Sequence, residues 1–102
     1  MKFEKDKPRY ETKQIASKVS IEIQMLLWKL IDSRNDRGET LDYLQVFELQ
    51  KSDDSQIILN RQEQPPMIKT MNLRLKKTAP METTIWIIDD GSQCTMLFPD
   101  DY

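Results

Sequence analysis

The sequence contains no histidine, a single cysteine (Cys94) and two glycines among its 102 residues. Without histidine the chain cannot form a serine–histidine or cysteine–histidine nucleophile pair, an imidazole acid–base catalyst or a histidine-bound zinc. One cysteine excludes an internal disulfide and a zinc site of paired cysteines. Two glycines are too few for the glycine-rich loops that bind nucleotide phosphates. We therefore expect no cofactor, no bound metal and no catalytic residue of a familiar type.

The chain also lacks a long hydrophobic run. Hydrophobic residues make up 38% and charged residues 31%, a mixture that is typical of soluble globular proteins. No segment approaches the ~20 apolar residues that cross a bilayer, and residues 1–7 contain no apolar core of a secretion signal. The length suits one domain over residues 1–102, with residues 1–8 as a flexible leader. A lone cysteine favours a reducing compartment, so we expect a cytoplasmic protein.

One amphipathic helix is predicted from about residue 20 to residue 34. At 100° per residue, one face collects the apolar side chains Ile23, Leu26, Leu27, Leu30 and Ile31. Ser20 is a suitable N-cap, and Gly38 can adopt the left-handed conformation that ends a helix.

The remaining segments favour β-structure. Residues 9–16, 41–51, 56–62, 72–76, 83–88 and 93–98 alternate or are rich in β-branched and aromatic residues. Residues 52–55 and the pair Asp90-Gly91 are turn signals, and residues 67–71 are expected to make one helical turn after two prolines. The prediction is an α+β fold, with one main helix packed on a mostly antiparallel sheet of about five strands.

The strand Thr84–Ile88 is apolar on both of its faces, which raises the question of what covers the second one. A helix is ~10–12 Å across and strands lie ~4.8 Å apart, so one helix covers only part of one face. Either the sheet closes as a partial barrel, or a second chain covers it. We expect a homodimer, and its candidate interface residues are Ile21, Met25, Trp28 and Trp86.

Two further hypotheses rest on polar residues. Arg61, Glu63, Asp89 and Asp90 are a candidate binding patch, which gives the alternative of a carboxylate-based or cation-dependent enzyme. An edge-strand charge and an Asp-Gly turn explain the same residues without a site. Cys94 is expected to be a packed thiol, since no histidine can activate it and Asp89 and Asp90 lie close in sequence.

Charge is unevenly distributed, although the net charge is only −2. Residues 64–81 carry Lys69, Arg74, Lys76 and Lys77 without an acid, whereas residues 82–102 carry five acids without a base. We expect the two stretches to neutralise each other across neighbouring strands. The alternative is weak nucleic-acid binding through residues 69–77.

Several short motifs resemble one protein family. They are Leu27-Trp28, Ile31-Asp32, Tyr43–Leu49, Asn60–Glu63, Ile88–Gly91, Cys94–Leu97 and Pro99–Tyr102. The chain is similar from about residue 9 onward to the domain-of-unknown-function family nine-sixty, small uncharacterised proteins of Gram-positive bacteria. The resemblance implies a bacterial cytoplasmic setting and no particular reaction. The function that we expect is therefore that of a small, non-enzymatic, self-associating interaction or accessory protein, without membrane contact and with room for another, unidentified protein partner.

Overall fold

The computed structural model describes residues 2–102. In chain order its elements are β1 (Arg9–Glu11), α1 (Lys13–Lys18), α2 (Ile21–Asp36), β2 (Leu44–Ser52), β3 (Ser55–Gln62), β4 (Met67–Leu73), β5 (Thr83–Asp89) and β6 (Cys94–Leu97), followed by a 3-10 turn, Pro99–Asp101.

The six strands form one sheet in the order β1-β6-β5-β2-β3-β4. Every neighbouring pair is antiparallel except β1 and β6, which are parallel. The α+β class and the mostly antiparallel sheet are thus confirmed. The prediction of about five strands is one too low, and the partial barrel is wrong, because β1 and β4 lie at opposite ends of an open sheet.

Helix α2 begins and ends close to its predicted limits. Ser20 is its N-cap and its hydroxyl accepts a hydrogen bond from the backbone N–H of Ile23 at 3.2 Å. Gly38, with φ of +77°, follows the helix in the left-handed conformation. The buried side chains of Ile23, Leu27 and Ile31 lie on one face of the helix and join the hydrophobic core.

The helices cover one face of the sheet, which we call the inner face; the opposite one is the outer face. Side chains of the inner face alternate along each strand with those of the outer face. The core consists of inner-face residues Phe47, Leu49, Ile58, Ile85, Ile87, Cys94 and Met96 together with helical and N-terminal residues.

The N-terminal segment differs from its prediction as a flexible leader and a strand. Phe3 is fully buried in the core, and the Lys7 ammonium lies 2.9 Å from the Asp89 carboxylate. Only Arg9–Glu11 form a strand, since Thr12 then caps the short helix α1. Ile15 of that helix is completely buried. Burial of Phe3 and polar contacts to Asp89 therefore hold a segment whose composition resembles a flexible end.

Residues 67–71 belong to strand β4 rather than to a helical turn. β4 pairs with β3 over its whole length, from Gln62–Met67 to Gln56–Leu73. Backbone hydrogen bonds to the free edge of β3 favour an extended conformation here, and they outweigh the preference for a helical turn after two prolines. Of the predicted strand 72–76 only the first two residues are β-structure, because the chain must then cross back over the sheet to reach β5 beside β2.

We predict that Phe3→Ala lowers the free energy of unfolding by about 3–5 kcal/mol, the usual cost of removing a buried phenyl ring. Lys2→Ala, at an exposed neighbouring position, should change it by less than about 0.5 kcal/mol. Urea denaturation of both variants measures the difference. Equal stabilities would show that burial of the Phe3 ring contributes nothing to the stability of the fold.

Candidate functional site

A buried guanidinium lies at the C-terminal end of α2. The side chain of Arg34 is 3% exposed and reaches the inner face of β2 and β3. Its Nη1 donates to Gln45 Oε1 at 2.6 Å and to Asn60 Oδ1 at 2.9 Å, and its Nη2 donates to Gln62 Oε1 at 2.8 Å. Three amide side chains thus replace the water that the cation would otherwise bind.

Glu39 is the counter-ion of this cluster and contacts three cations. Its Oε1 accepts from Arg34 Nε at 2.9 Å, while its Oε2 accepts from Arg37 Nη2 at 2.9 Å and from Lys69 Nζ at 2.6 Å. The hydrogen bond from Lys69, opposed by desolvation and supported by both arginines, lowers the pKa of Glu39 to about 2. The carboxylate is therefore ionised at any physiological pH.

A second buried charge lies at the end of β5. Both oxygens of Asp89 are in contact with Lys7, and the carboxylate also accepts from the backbone N–H of Phe3 at 2.7 Å and of Gly91 at 2.8 Å. Burial acts to raise the pKa of Asp89, but these hydrogen bonds outweigh it and the pKa is lowered. Asp89 thus connects the N-terminal segment to the β5–β6 turn through these hydrogen bonds.

The predicted polar patch does not converge. Arg61 lies on the outer face, where its Nε is 3.4 Å from Glu48 Oε2, and it lines a cavity of about 70 Å³ together with Glu63. Asp89 lies on the inner face, and β2 separates β3 from β5. Asp90 is used locally, since its Oδ1 accepts from the backbone N–H groups of Ser92 and Gln93.

The four predicted interface residues are divided between the two layers. Ile21 and Met25 are each 65% exposed on α2. Trp28 is partly buried on the same helix, where the Arg9 guanidinium lies 4.8 Å from its ring centre. Trp86 lies on the outer face of the sheet, where the ring of Tyr102 packs edge-on at 6.0 Å. One continuous surface cannot contain all four.

The outer face carries two neighbouring rows of mostly apolar side chains. One row crosses five strands in register and consists of Leu97, Trp86, Val46, Arg61 and Ile68. The next consists of Tyr10, Thr95, Ile88 and Leu44. Ile68 is 68% and Tyr10 is 50% exposed at the two ends. No helix packs on these rows, whose middle residues shield one another: Val46 and Leu97 are each 6% exposed, and Leu44, Trp86 and Ile88 are half-buried.

Cys94 is a buried free thiol on β6, as expected. Burial and the nearby Asp89 carboxylate raise the pKa of Cys94 to about 11. The thiol is therefore protonated near neutral pH and is a poor nucleophile.

The basic and acidic stretches are not neighbours in the sheet, contrary to expectation. β2 and β3 lie between β4 and β5, so Lys69 pairs with Glu39 and not with an acid beyond residue 81. The loop that carries Lys76 and Lys77 is held instead by Glu22, whose carboxylate accepts from both backbone N–H groups at 2.6 and 2.9 Å.

An open groove of about 590 Å³ lies between α1 and the C-terminal turn. Glu82, Asp100 and Asp101 line it, together with Lys18. Within residues 2–102, no three carboxylate or thiol groups are arranged to hold a metal ion. In the same range, no helix is long and apolar enough to cross a membrane.

The Arg34–Glu39 cluster was not predicted from the sequence. The available signal was the position of Gln45, Asn60 and Gln62, which fall in phase with the buried apolar residues of their strands. Amides at such positions indicate a buried polar partner.

The sequence matches a family model over residues 8–101, described as a Staphylococcal protein of unknown function (DUF960). The chain belongs to the DUF960 family. A solved structure, the crystal structure of the protein of unknown function from Enterococcus faecalis, is similar with a TM-score of 0.83 and 25% identity. The similarity covers 98% of this chain and 94% of that one. No curated protein matches the chain.

The lowered pKa of Glu39 predicts acid sensitivity. A carboxylate with a pKa near 2 in the folded chain, against an ordinary 4.5, gives stability that is complete above about pH 4.5 and is lost as the pH falls toward 2. Glu39→Gln should be less stable at pH 7 and should lose less stability across that interval. Urea denaturation between pH 7 and 2 measures both effects, with Glu63→Gln as the exposed control. An unchanged pH profile in Glu39→Gln would contradict the prediction.

Proposed function

We propose that this DUF960 protein is a non-enzymatic interaction protein that forms a homodimer through the outer face of its sheet. The observation that carries the proposal is the pair of apolar rows that no helix covers, with half-buried Trp86 at the centre and the exposed side chains of Ile68 and Tyr10 at the two ends. A sheet face that groups several partly exposed apolar side chains is typical of an interface. The open sheet does not close on itself, so this face is accessible to a second molecule.

The size of the outer face suits a dimer interface. Six strands spaced ~4.8 Å apart, at ~3.4 Å per residue for ~7 residues, give a projected footprint of ~600 Å². Side chains enlarge the contact area above the projected value. A standard interface buries ~800 Å² on each partner, so the face is large enough to hold two copies together.

The charges of this face favour a second copy as the partner. Glu48 of β2 and Arg61 of β3 lie side by side on this face, 3.4 Å apart. In a two-fold dimer the same patch meets itself, so opposite charges can be set against each other around an apolar centre. Two-fold dimers are also the commonest assembly of soluble proteins.

The alternative functions receive less support. An enzyme built on Arg61, Glu63, Asp89 and Asp90 would need those groups in one pocket, and β2 separates them. A nucleic-acid site on residues 69–77 would lose part of its charge, since Lys69 is paired with Glu39. An acidic chain of net charge −2 adds no general attraction for phosphates.

We predict that the wild-type chain has twice its 12.1 kDa mass in light scattering at micromolar concentration. Trp86→Lys should shift the mass toward that of one chain, because removing a central aromatic residue costs at least ~2 kcal/mol of binding, or ~30-fold in the dissociation constant. Ile68→Lys, at an exposed position in the same row, should weaken the dimer without disturbing the fold.

Met25→Lys is the matched control, since Met25 is an equally exposed apolar residue on the helical layer. It should leave the dimer intact. Far-ultraviolet circular dichroism checks that each variant is folded. A wild-type mass of 12.1 kDa that stays constant on concentrating the sample would overturn the proposal, and a dimer broken only by Met25→Lys would place the interface on α2 instead.

A further inference from the structure

A small cleft opens on the inner side of the molecule, between α2 and strands β3 and β4. Its volume is about 220 Å³. Leu30 of the helix and Ile58 and Met71 of the strands give it apolar walls. A water molecule occupies about 30 Å³ in the liquid, so the cleft has room for a molecule of roughly seven non-hydrogen atoms. That is smaller than a drug-sized pocket and suits a small organic molecule.

The polar residues of the cleft are cationic or neutral, and the neutral ones include the amide Asn60. Arg34, Arg37 and Lys69 line it, as do Ser33 and Thr70, and no acidic side chain does. Glu39 contacts all three cations from outside this lining, so three positive charges share one negative charge. The excess of two positive charges is concentrated at one place in a chain whose net charge is −2.

The three cations differ in the number of N–H groups that they can still donate to a further partner. Arg34 uses its Nε and both terminal nitrogens on Glu39 and on three amide side chains. Lys69 carries three N–H groups, of which Glu39 needs one. Arg37 places Nε and Nη2 on Glu39, which leaves Nη1. Lys69 and Arg37 are therefore the groups that can bind an anion, and buried Arg34 holds Glu39 in position between them.

We propose that this cleft binds a small organic carboxylate with an apolar body. The carboxylate head would lie on Lys69 and Arg37, with the Ser33 hydroxyl as an additional donor. The body would lie against Leu30, Ile58 and Met71. A bare inorganic anion fits less well, because it would leave the apolar walls in contact with water.

The cleft is independent of the proposed dimer. Lys69 is paired in register with Asn60, which is an inner-face residue, so its side chain lies on the helical side of the sheet. A second copy on the outer face would leave the cleft open. A monomeric wild-type protein would thus contradict the dimer and leave the carboxylate site unaffected.

The test is titration of isotope-labelled full-length protein with pentanoate, a carboxylate of about the right size, followed by two-dimensional NMR at constant ionic strength. We expect saturable shifts of the backbone amides of Leu30, Ser33 and Met71, with a dissociation constant on the order of 1 mM. Pentanamide, which has nearly the same shape but no charge, should bind at least about tenfold more weakly.

Lys69→Gln should weaken pentanoate binding by about tenfold or more, whereas Lys51→Gln, on an exposed part of β2, should leave it unchanged. The same spectra show whether each variant is folded. The proposal is overturned if pentanoate causes no localised shifts, if pentanamide binds equally well, or if Lys69→Gln binds as the wild type does. Inorganic phosphate binding as tightly as pentanoate would also overturn it, because the apolar body would then contribute nothing.

Discussion

The arrangement of this molecule depends on a cation buried between the helix and the sheet. A guanidinium that is removed from water is strongly destabilising unless its hydrogen bonds are replaced. Arg34 satisfies that requirement with Gln45, Asn60 and Gln62 and with the carboxylate of Glu39. Because these partners come from β2, β3 and the loop after α2, the cluster fixes the register of the helix on the sheet. It also fixes where Glu39 and, through it, Lys69 and the cleft are placed.

The same helix accounts for the contrast between the two faces of the sheet. α2 and α1 supply enough apolar surface for the inner face, where Phe47, Ile58, Ile85 and Ile87 are almost completely buried. The outer face has the alternate residues of the same strands, and several of those are equally apolar. Strands of a sheet that is covered on both sides are usually apolar on both faces. In this open sheet the same pattern is the physical basis of the proposed self-association.

The main helix, its cap, the two hairpin turns and the central strands could be predicted because each depends on local signals: a 3.6-residue period, Ser20, Gly91 and β-branched runs. The packed N-terminus and β4 could not, since both depend on distant partners. The backbone of Phe3 is bound by Asp89 and by Asn35, both far away in sequence, and β4 exists because β3 has a free edge. The predicted polar patch failed to converge for a related reason: residues close in sequence, or similar in charge, can lie on opposite faces of a sheet.

The buried amides show how such a site is recognisable in principle. Gln45, Asn60 and Gln62 occupy positions that the alternation assigns to the core, and an amide there needs partners that apolar neighbours cannot provide. Arg34 lies on the same side of α2 as Ile23, Leu27 and Ile31, one helical turn beyond the last of them. An arginine in core phase on the helix and amides in core phase on the adjacent strands satisfy each other's hydrogen bonds when they face each other. The charge of Arg34 and the periodicity of the strands together therefore indicate an internal ion cluster.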